Sequence, residues 1–219
     1  MRCYNVRVAL PDDYCGLPRA SETLIQIVDV ALAESARKSG DRLACCPGCT
    51  PCCLGPFPIS QLDAWRLREG LALLKKQDAA RVARVRRRAR KSALRLAPDF
   101  PGDASTGVLA EDAGAEERFA DFADSEPCPV LDPKSGLCDL YAARPLACRT
   151  FGQPVRVGAA VGVCELCFPM AGDEEIAACA AEIDVDALEA PLLRQFEECG
   201  GACGRTIVTF ALAVEAPPH

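Results

Sequence analysis

The sequence predicts a mainly α-helical fold with small β-hairpins, its helices packed around an irregular cysteine-rich core. Three observations lead there. Three stretches carry apolar residues at helical spacing with capping residues near their ends. Two short apolar runs broken by turn residues, "CPVLDPKSGLCDLY" and "PVRVGAAVGVC", read as hairpins. The chain also holds 15 cysteines in 219 residues, and "CCPGCTPCC" at residues 45–53 crowds five of them into a segment suited to neither helix nor strand.

The elements follow in order. "SETLIQIVDVALAESARKSG" has Ser21 placed to cap a helix, an apolar face of Leu24, Ile27, Val28, Ala31 and Leu32, and Gly40 at its end. After Pro58, Ser60 and Asp63 form a capping-box-like start to a helix running towards Ala97, with an interruption expected at Gly70. A long acidic loop then encloses a short helix near Glu116 to Ala123. In the first hairpin, Asp132, Pro133, Ser135 and Gly136 make the loop and Cys128 and Cys138 stand near the two ends. The second delivers Cys164. The last helix spans about Asp184 to Glu198, where Pro191 is expected to bend or split it. No repeat is evident, and the length suits a single domain, 1–219, with residues 44–170 as the cysteine-bearing core and 171–219 as a C-terminal helical extension.

Charge narrows the partners. Lysine plus arginine number 25 and aspartate plus glutamate 31, a net charge of −6 that argues against a dedicated nucleic-acid binder. The exception is local: "RVARVRRRARKSALR", residues 81–95. There Val82, Val85, Ala89 and Ala93 share one helical face, so the arginines read as its solvated remainder, docked against the acidic loop that follows. The N-terminus lacks an uninterrupted apolar signal region, and no segment approaches the ~18 apolar residues of a membrane span. The expectation is a soluble, cytoplasmic protein with no membrane partner.

A reducing compartment makes metal binding a better explanation of clustered cysteines than disulfides. Cys46, Cys49, Cys52 and Cys53 form Cys-x2-Cys-x2-Cys-Cys, and two-residue gaps let a turn aim successive sulfurs at one point. Pro47, Gly48 and Pro51 supply the turn chemistry, giving a knuckle and not a helix. Cys128, Cys138, Cys148, Cys164 and Cys167 are the partners available downstream. The only histidine, His219, lies in the tail "EAPPH", which excludes a Ser-His-Asp triad, a Cys-His dyad or a histidine-containing zinc finger. Sulfur must therefore hold the metal, and soft thiolates select zinc, copper(I) or iron–sulfur clusters over magnesium and calcium.

The knuckle, the Cys128-Pro129 pair followed by Gly136-Leu137-Cys138, "YAARPLACR" from Tyr141 to Arg149, and the later Cys164 together resemble the YkgJ-type cysteine cluster family, across about residues 44–170. The resemblance implies chelation of zinc or iron, or of an iron–sulfur cluster, by Cys46, Cys49, Cys52, Cys53, Cys128, Cys138, Cys148 and Cys164. Those eight suffice for two four-sulfur sites or for one cluster with spare thiols. A related branch contains a flagellin lysine methylase, so the alternative to a metal-binding module is an iron–sulfur or zinc-dependent enzyme of redox or methyl transfer. Binding is the preferred reading, because four-thiolate closure leaves no open coordination position. Cys45 ahead of the knuckle and the acidic insertion before Cys128 depart from the family pattern. Arg144 and Arg149, flanking Cys148, are candidates to neutralise the excess charge of a thiolate centre; the blander explanation is ordinary surface arginines. Cys3, Cys15, Cys45, Cys167, Cys179, Cys199 and Cys203 read as free core thiols, Cys167 least securely since it forms a Cys-x2-Cys with Cys164.

Overall fold

The computed structural model describes residues 16–46, 48–158 and 160–213. Among them are eight α-helices: α1 (Leu17–Ser39), α2 (Gln61–Gln77), α3 (Ala79–Leu96), α4 (Ala115–Ala120), α5 (Leu146–Thr150), α6 (Asp173–Cys179), α7 (Val185–Glu198) and α8 (Val208–Ala213). Six short strands pair antiparallel in twos: β1 (Ile59–Ser60) with β6 (Arg205–Thr206), β2 (Gly102–Asp103) with β3 (Val108–Leu109), and β4 (Val155–Val157) with β5 (Ala160–Gly162). The expected mainly α architecture is therefore observed. The described residues fall into two compact units, one of 50–145 and 196–213, the other of 16–49 and 146–195. The residues expected to form a C-terminal helical extension are thus shared between the units.

In the unit of 50–145 and 196–213, α2 starts where the sequence indicates: the Asp63 amide donates to Ser60 Oγ at 3.0 Å. It runs through Gly70 without interruption and stops at Asp78, whose carboxylate accepts the Arg81 amide at 2.8 Å and caps α3. The break lies at Asp78 because one residue there closes the first helix and begins the second. Gly70 serves packing instead: a Cβ at that position would lie 2.3 Å from the Ala143 Cβ. Gly70→Ala, which in an open helix gains about 0.8–1 kcal/mol, is expected here to lose about 1–3 kcal/mol through overcrowding. Urea unfolding measures the sign, and a stabilised variant would show that the turn at Ala143 gives way.

The core of this unit joins α2, α3 and α8. Ile59, Ala64, Leu67, Leu71, Val82, Val85, Ala89, Val130, Leu140, Val208, Ala211 and Leu212 form one buried cluster. Val82, Val85 and Ala89 supply the apolar stripe anticipated for the basic helix, Leu96 extends it, Ser92 is buried beside it, and Ala93 is only partly buried. Fully burying such a side chain contributes about 1.5–3 kcal/mol relative to exposure. A second cluster forms beneath the acidic loop, where Phe100 packs on Phe210 with ring centroids 4.4 Å apart and edge-on to Phe122 at 5.8 Å.

In the unit of 16–49 and 146–195, α1 begins at Leu17, four residues before the expected cap. Pro18 suits the first turn and Gly16 turns the chain in at φ 73°, so Ser21 lies buried within the helix. Leu24, Val28 and Leu32 pack with Leu146, Val155 and Ala181, whereas Ile27 is 45% exposed. Gly40, at φ 53°, ends the helix as anticipated. The hairpin of β4 and β5 forms at the predicted segment, and the Ser35 hydroxyl donates to the Pro154 carbonyl ahead of it at 3.5 Å. Pro191 sits inside α7 without splitting it.

Candidate metal centre

The cysteine-rich segment folds as turns. The Cys49 amide donates to the Cys46 carbonyl at 2.9 Å, and Gly48 adopts φ 93°, a left-handed conformation that favours glycine. Residues 51–53 make one turn of 3-10 helix, with the Cys53 amide donating to the Thr50 carbonyl at 2.8 Å. The knuckle is thus present around Pro47, which itself lies outside the described residues together with Cys3, Cys15 and His219. The unit division falls after Cys49, so Cys46 and Cys49 belong to one unit and Cys52 and Cys53 to the other.

Cys52 and Cys53 share their unit with Cys128 and Cys138. The Cys128 amide donates to the Cys53 carbonyl at 2.8 Å, and Leu54 bridges Pro127, so the two chain segments lie edge to edge. Beyond Cys128 the chain turns back: Leu131 bridges Cys138, the Asp132 amide donates to the Leu137 carbonyl at 2.9 Å, and the Asp139 amide donates to the Val130 carbonyl at 2.7 Å. This is the expected hairpin in minimal form, its loop tightened by the Asp132 carboxylate on Ser135. All four sulfurs are free thiols and half-buried. The Cys52 thiol hydrogen-bonds Cys53, which together with burial drives its pKa far up. Burial pushes the Cys128 thiol up to about 12, with Cys138 and Cys52 adding to it, and burial also raises Cys138.

Without a cation, then, the Cys52, Cys128 and Cys138 thiols keep their protons at neutral pH. Among the described residues, no three histidine, cysteine, aspartate or glutamate side chains stand arranged to hold a metal ion. The donor chemistry nevertheless fits a thiophilic cation: Cys52, Cys53, Cys128 and Cys138 are neighbouring sulfur donors, and a positive charge would reverse the penalty on ionising Cys52, Cys128 and Cys138.

The other unit carries Cys45, Cys46, Cys49, Cys148 and Cys164. Cys148 lies in α5, and Cys164 follows β5, its amide donating to the Gly152 carbonyl at 3.5 Å. Gly152, at φ 104°, meets Cys45 from the other side: a Cβ there would lie 3.1 Å from the Cys45 sulfur. Cys45 is exposed and so departs from the expected core thiol. Its place against Gly152, between Cys148 and Cys164 in sequence, makes it a candidate that the spacing argument passed over. The one available signal was its adjacency to Cys46.

Cys167 and Cys179 are buried thiols, as expected, and the Cys179 sulfur hydrogen-bonds the Lys38 carbonyl at 3.5 Å. Cys199 and Cys203 depart from expectation, since each is disulfide-bonded and not a free thiol.

The arginines divide in the same way. Arg144 stacks over the Tyr141 ring at 4.0 Å, and its charge favours ionisation of Cys52 and Cys138. Arg149 is buried, not a surface residue, and its Nη1 donates to both Asp29 oxygens at 2.8 and 3.0 Å. In the basic helix, Arg95 pairs with Glu126 of the acidic loop at 2.5 Å, as anticipated. Arg81 and Arg88 do not join the solvated face; both bind Asp139, the neighbour of Cys138.

Residues 44–167, more than half of the chain, match the CxxCxxCC family, described as a putative zinc- or iron-chelating domain. The chain belongs to this family. The CxxCxxCC match begins just ahead of Cys45 and ends at Cys167, enclosing both sets of thiols. No curated protein and no solved structure gives a significant match. No helix among the described residues is long and apolar enough to cross a membrane.

Proposed function

We propose that the protein binds zinc or iron through cysteine thiolates, with Cys52, Cys53, Cys128 and Cys138 as one ligand set and Cys46, Cys49, Cys148 and Cys164 as a second. The observation that carries this reading is the meeting, within one unit, of Cys52 and Cys53 with a hairpin that brings Cys128 and Cys138 from a distant part of the sequence. Membership of the CxxCxxCC family supports it. Four thiolates around a divalent ion leave a net charge of −2, which Arg144 helps to offset at the first set and Arg149 at the second. A closed sulfur set of this kind stabilises a fold or stores a metal and offers no coordination position to a substrate. We assign the protein to a reducing, cytoplasmic setting, which keeps the eleven described cysteines outside disulfides available to metal.

Metal analysis of protein purified without oxygen tests the reading. Brown protein with iron and sulfide identifies a cluster, and colourless protein with zinc a mononuclear site. Cys49→Ser and Cys138→Ser are each expected to lower bound metal per chain. Cys179→Ser is not, because that sulfur is committed to the Lys38 carbonyl. Equal metal content in all three variants would remove the assignment.

A further inference from the structure

We propose that Arg81 and Arg88 of α3 are positioning residues for the Cys128 and Cys138 thiols, acting through Asp139 and the Pro129 carbonyl. The proposal rests on the metal-binding reading above and gives the basic run of residues 81–95 a task within it.

Beyond the packing of Val130 and Leu140 in the core, the hairpin that carries the two thiols has little to fix it. Its strands make one bridge, between Leu131 and Cys138, and an isolated two-stranded hairpin is marginal in water. α3 supplies the missing support at both arms. Asp139, whose side chain is 4% exposed, receives Arg81 Nε on Oδ1 and Arg88 Nη2 on Oδ2, the latter at 2.5 Å. Arg88 Nε also donates to the Pro129 carbonyl at 2.7 Å. One guanidinium therefore grips the residue after Cys128 and the residue after Cys138 together.

The spacing suits the task. Residues seven apart lie two turns along one helix face, about 10.5 Å at 1.5 Å per residue, so Arg81 and Arg88 offer two fixed points on a rigid rod. Their stems stand beside the stripe of Val82, Val85 and Ala89 that anchors α3 in the core. Two arginines against one aspartate leave a surplus positive charge next to Cys138, which suits a thiolate set that gains negative charge on ligation. A lysine cannot reproduce this arrangement: it is a point charge on a flexible stem, without a planar fork that reaches a carboxylate and a carbonyl at once.

The test uses the full chain with Arg88→Ala, Arg88→Lys and Asp139→Asn, and Arg87→Ala as a control on the exposed face. Cobalt(II) alone is the metal probe, read by its thiolate charge-transfer absorption, and the alkylation rates of Cys128 and Cys138 in metal-free protein are read by mass spectrometry. Arg88→Ala is expected to weaken cobalt affinity about 10–100-fold and to speed alkylation of both cysteines, while Arg88→Lys recovers part of each and Arg87→Ala changes neither. Parent-like cobalt affinity and alkylation in Arg88→Ala would overturn the proposal. So would a lysine variant no better than the alanine one, since the loss would then be general destabilisation. Should Arg88→Ala fail to fold, Arg88→Lys and Asp139→Asn decide by the same two measurements. A parent that takes up no cobalt would sink the metal reading, and the alkylation rates would then decide the positioning role alone.

Discussion

Stripping the metal with a strong chelator is expected to lower the melting temperature by about 10–20 °C, the shift that about 5 kcal/mol produces in a chain of this size. That is a modest fraction of the ~10–16 kcal/mol with which small structural zinc sites are held. Hydrogen exchange should show the loss concentrated between residues 44 and 167, where turns and short hairpins depend on the sulfurs. The Leu24, Val28 and Leu32 face of α1 has its own apolar core and should keep its protection. The metal-free protein should also be alkali-sensitive. Cys128 is raised from an ordinary value of 9.0 to about 12 in the fold, so its protonated thiol contributes stability below pH 9 that is lost as pH climbs towards 12. Metal uptake runs the opposite way, since deprotonation favours ligation. Equal melting temperatures with and without chelator would mark the site as peripheral to folding.

Asp63→Ala is expected to cost about 3–5 kcal/mol, because it leaves a buried guanidinium without its carboxylate. Arg66 Nη1 donates to Asp63 Oδ1 at 2.5 Å, with side-chain exposures of 8% and 4%. Replacing both residues with apolar ones of similar volume, as in Asp63→Leu with Arg66→Met, should recover most of the loss, since the charge and its demand for a partner leave together. Denaturant midpoints of the three proteins decide. A single variant within about 1 kcal/mol of the parent would show that water reaches Arg66, as it does at exposed pairs of little worth.

What the sequence revealed here is largely what local chemistry controls. Ser60 caps α2 because its hydroxyl need only reach the third amide beyond it, and the knuckle turns because Gly48 tolerates a left-handed backbone. Hairpins at 128–138 and 155–162 follow from turn residues set between short apolar runs. Features that depend on distant partners stayed hidden. Arg88 reads as one more solvated charge until Asp139, 51 residues away, is found beside it. Gly70 reads as a helix breaker because its need, the nearness of Ala143, belongs to tertiary packing. The eight candidate thiols were visible, but not their separation into sets of four, since adjacent cysteines in a knuckle carry no mark of a unit boundary between them. That Cys199 and Cys203 are disulfide-bonded was missed because a cysteine in the sequence carries no mark of its partner.

The pairing of β1 with β6 sets an order of events during synthesis. Ile59 must wait for Thr206, and the fully buried Ile207 lies just beyond it. At about 5–20 residues per second, the ribosome needs roughly 4–17 s to travel from Cys128 to the end of α8. For that interval the nascent chain presents Cys52, Cys53, Cys128 and Cys138 without the last helix of the core that will shelter them. Exposure to oxidants and capture of the wrong ion are therefore greatest before release, and a nascent chain that meets its metal early has the better chance of reaching the native state.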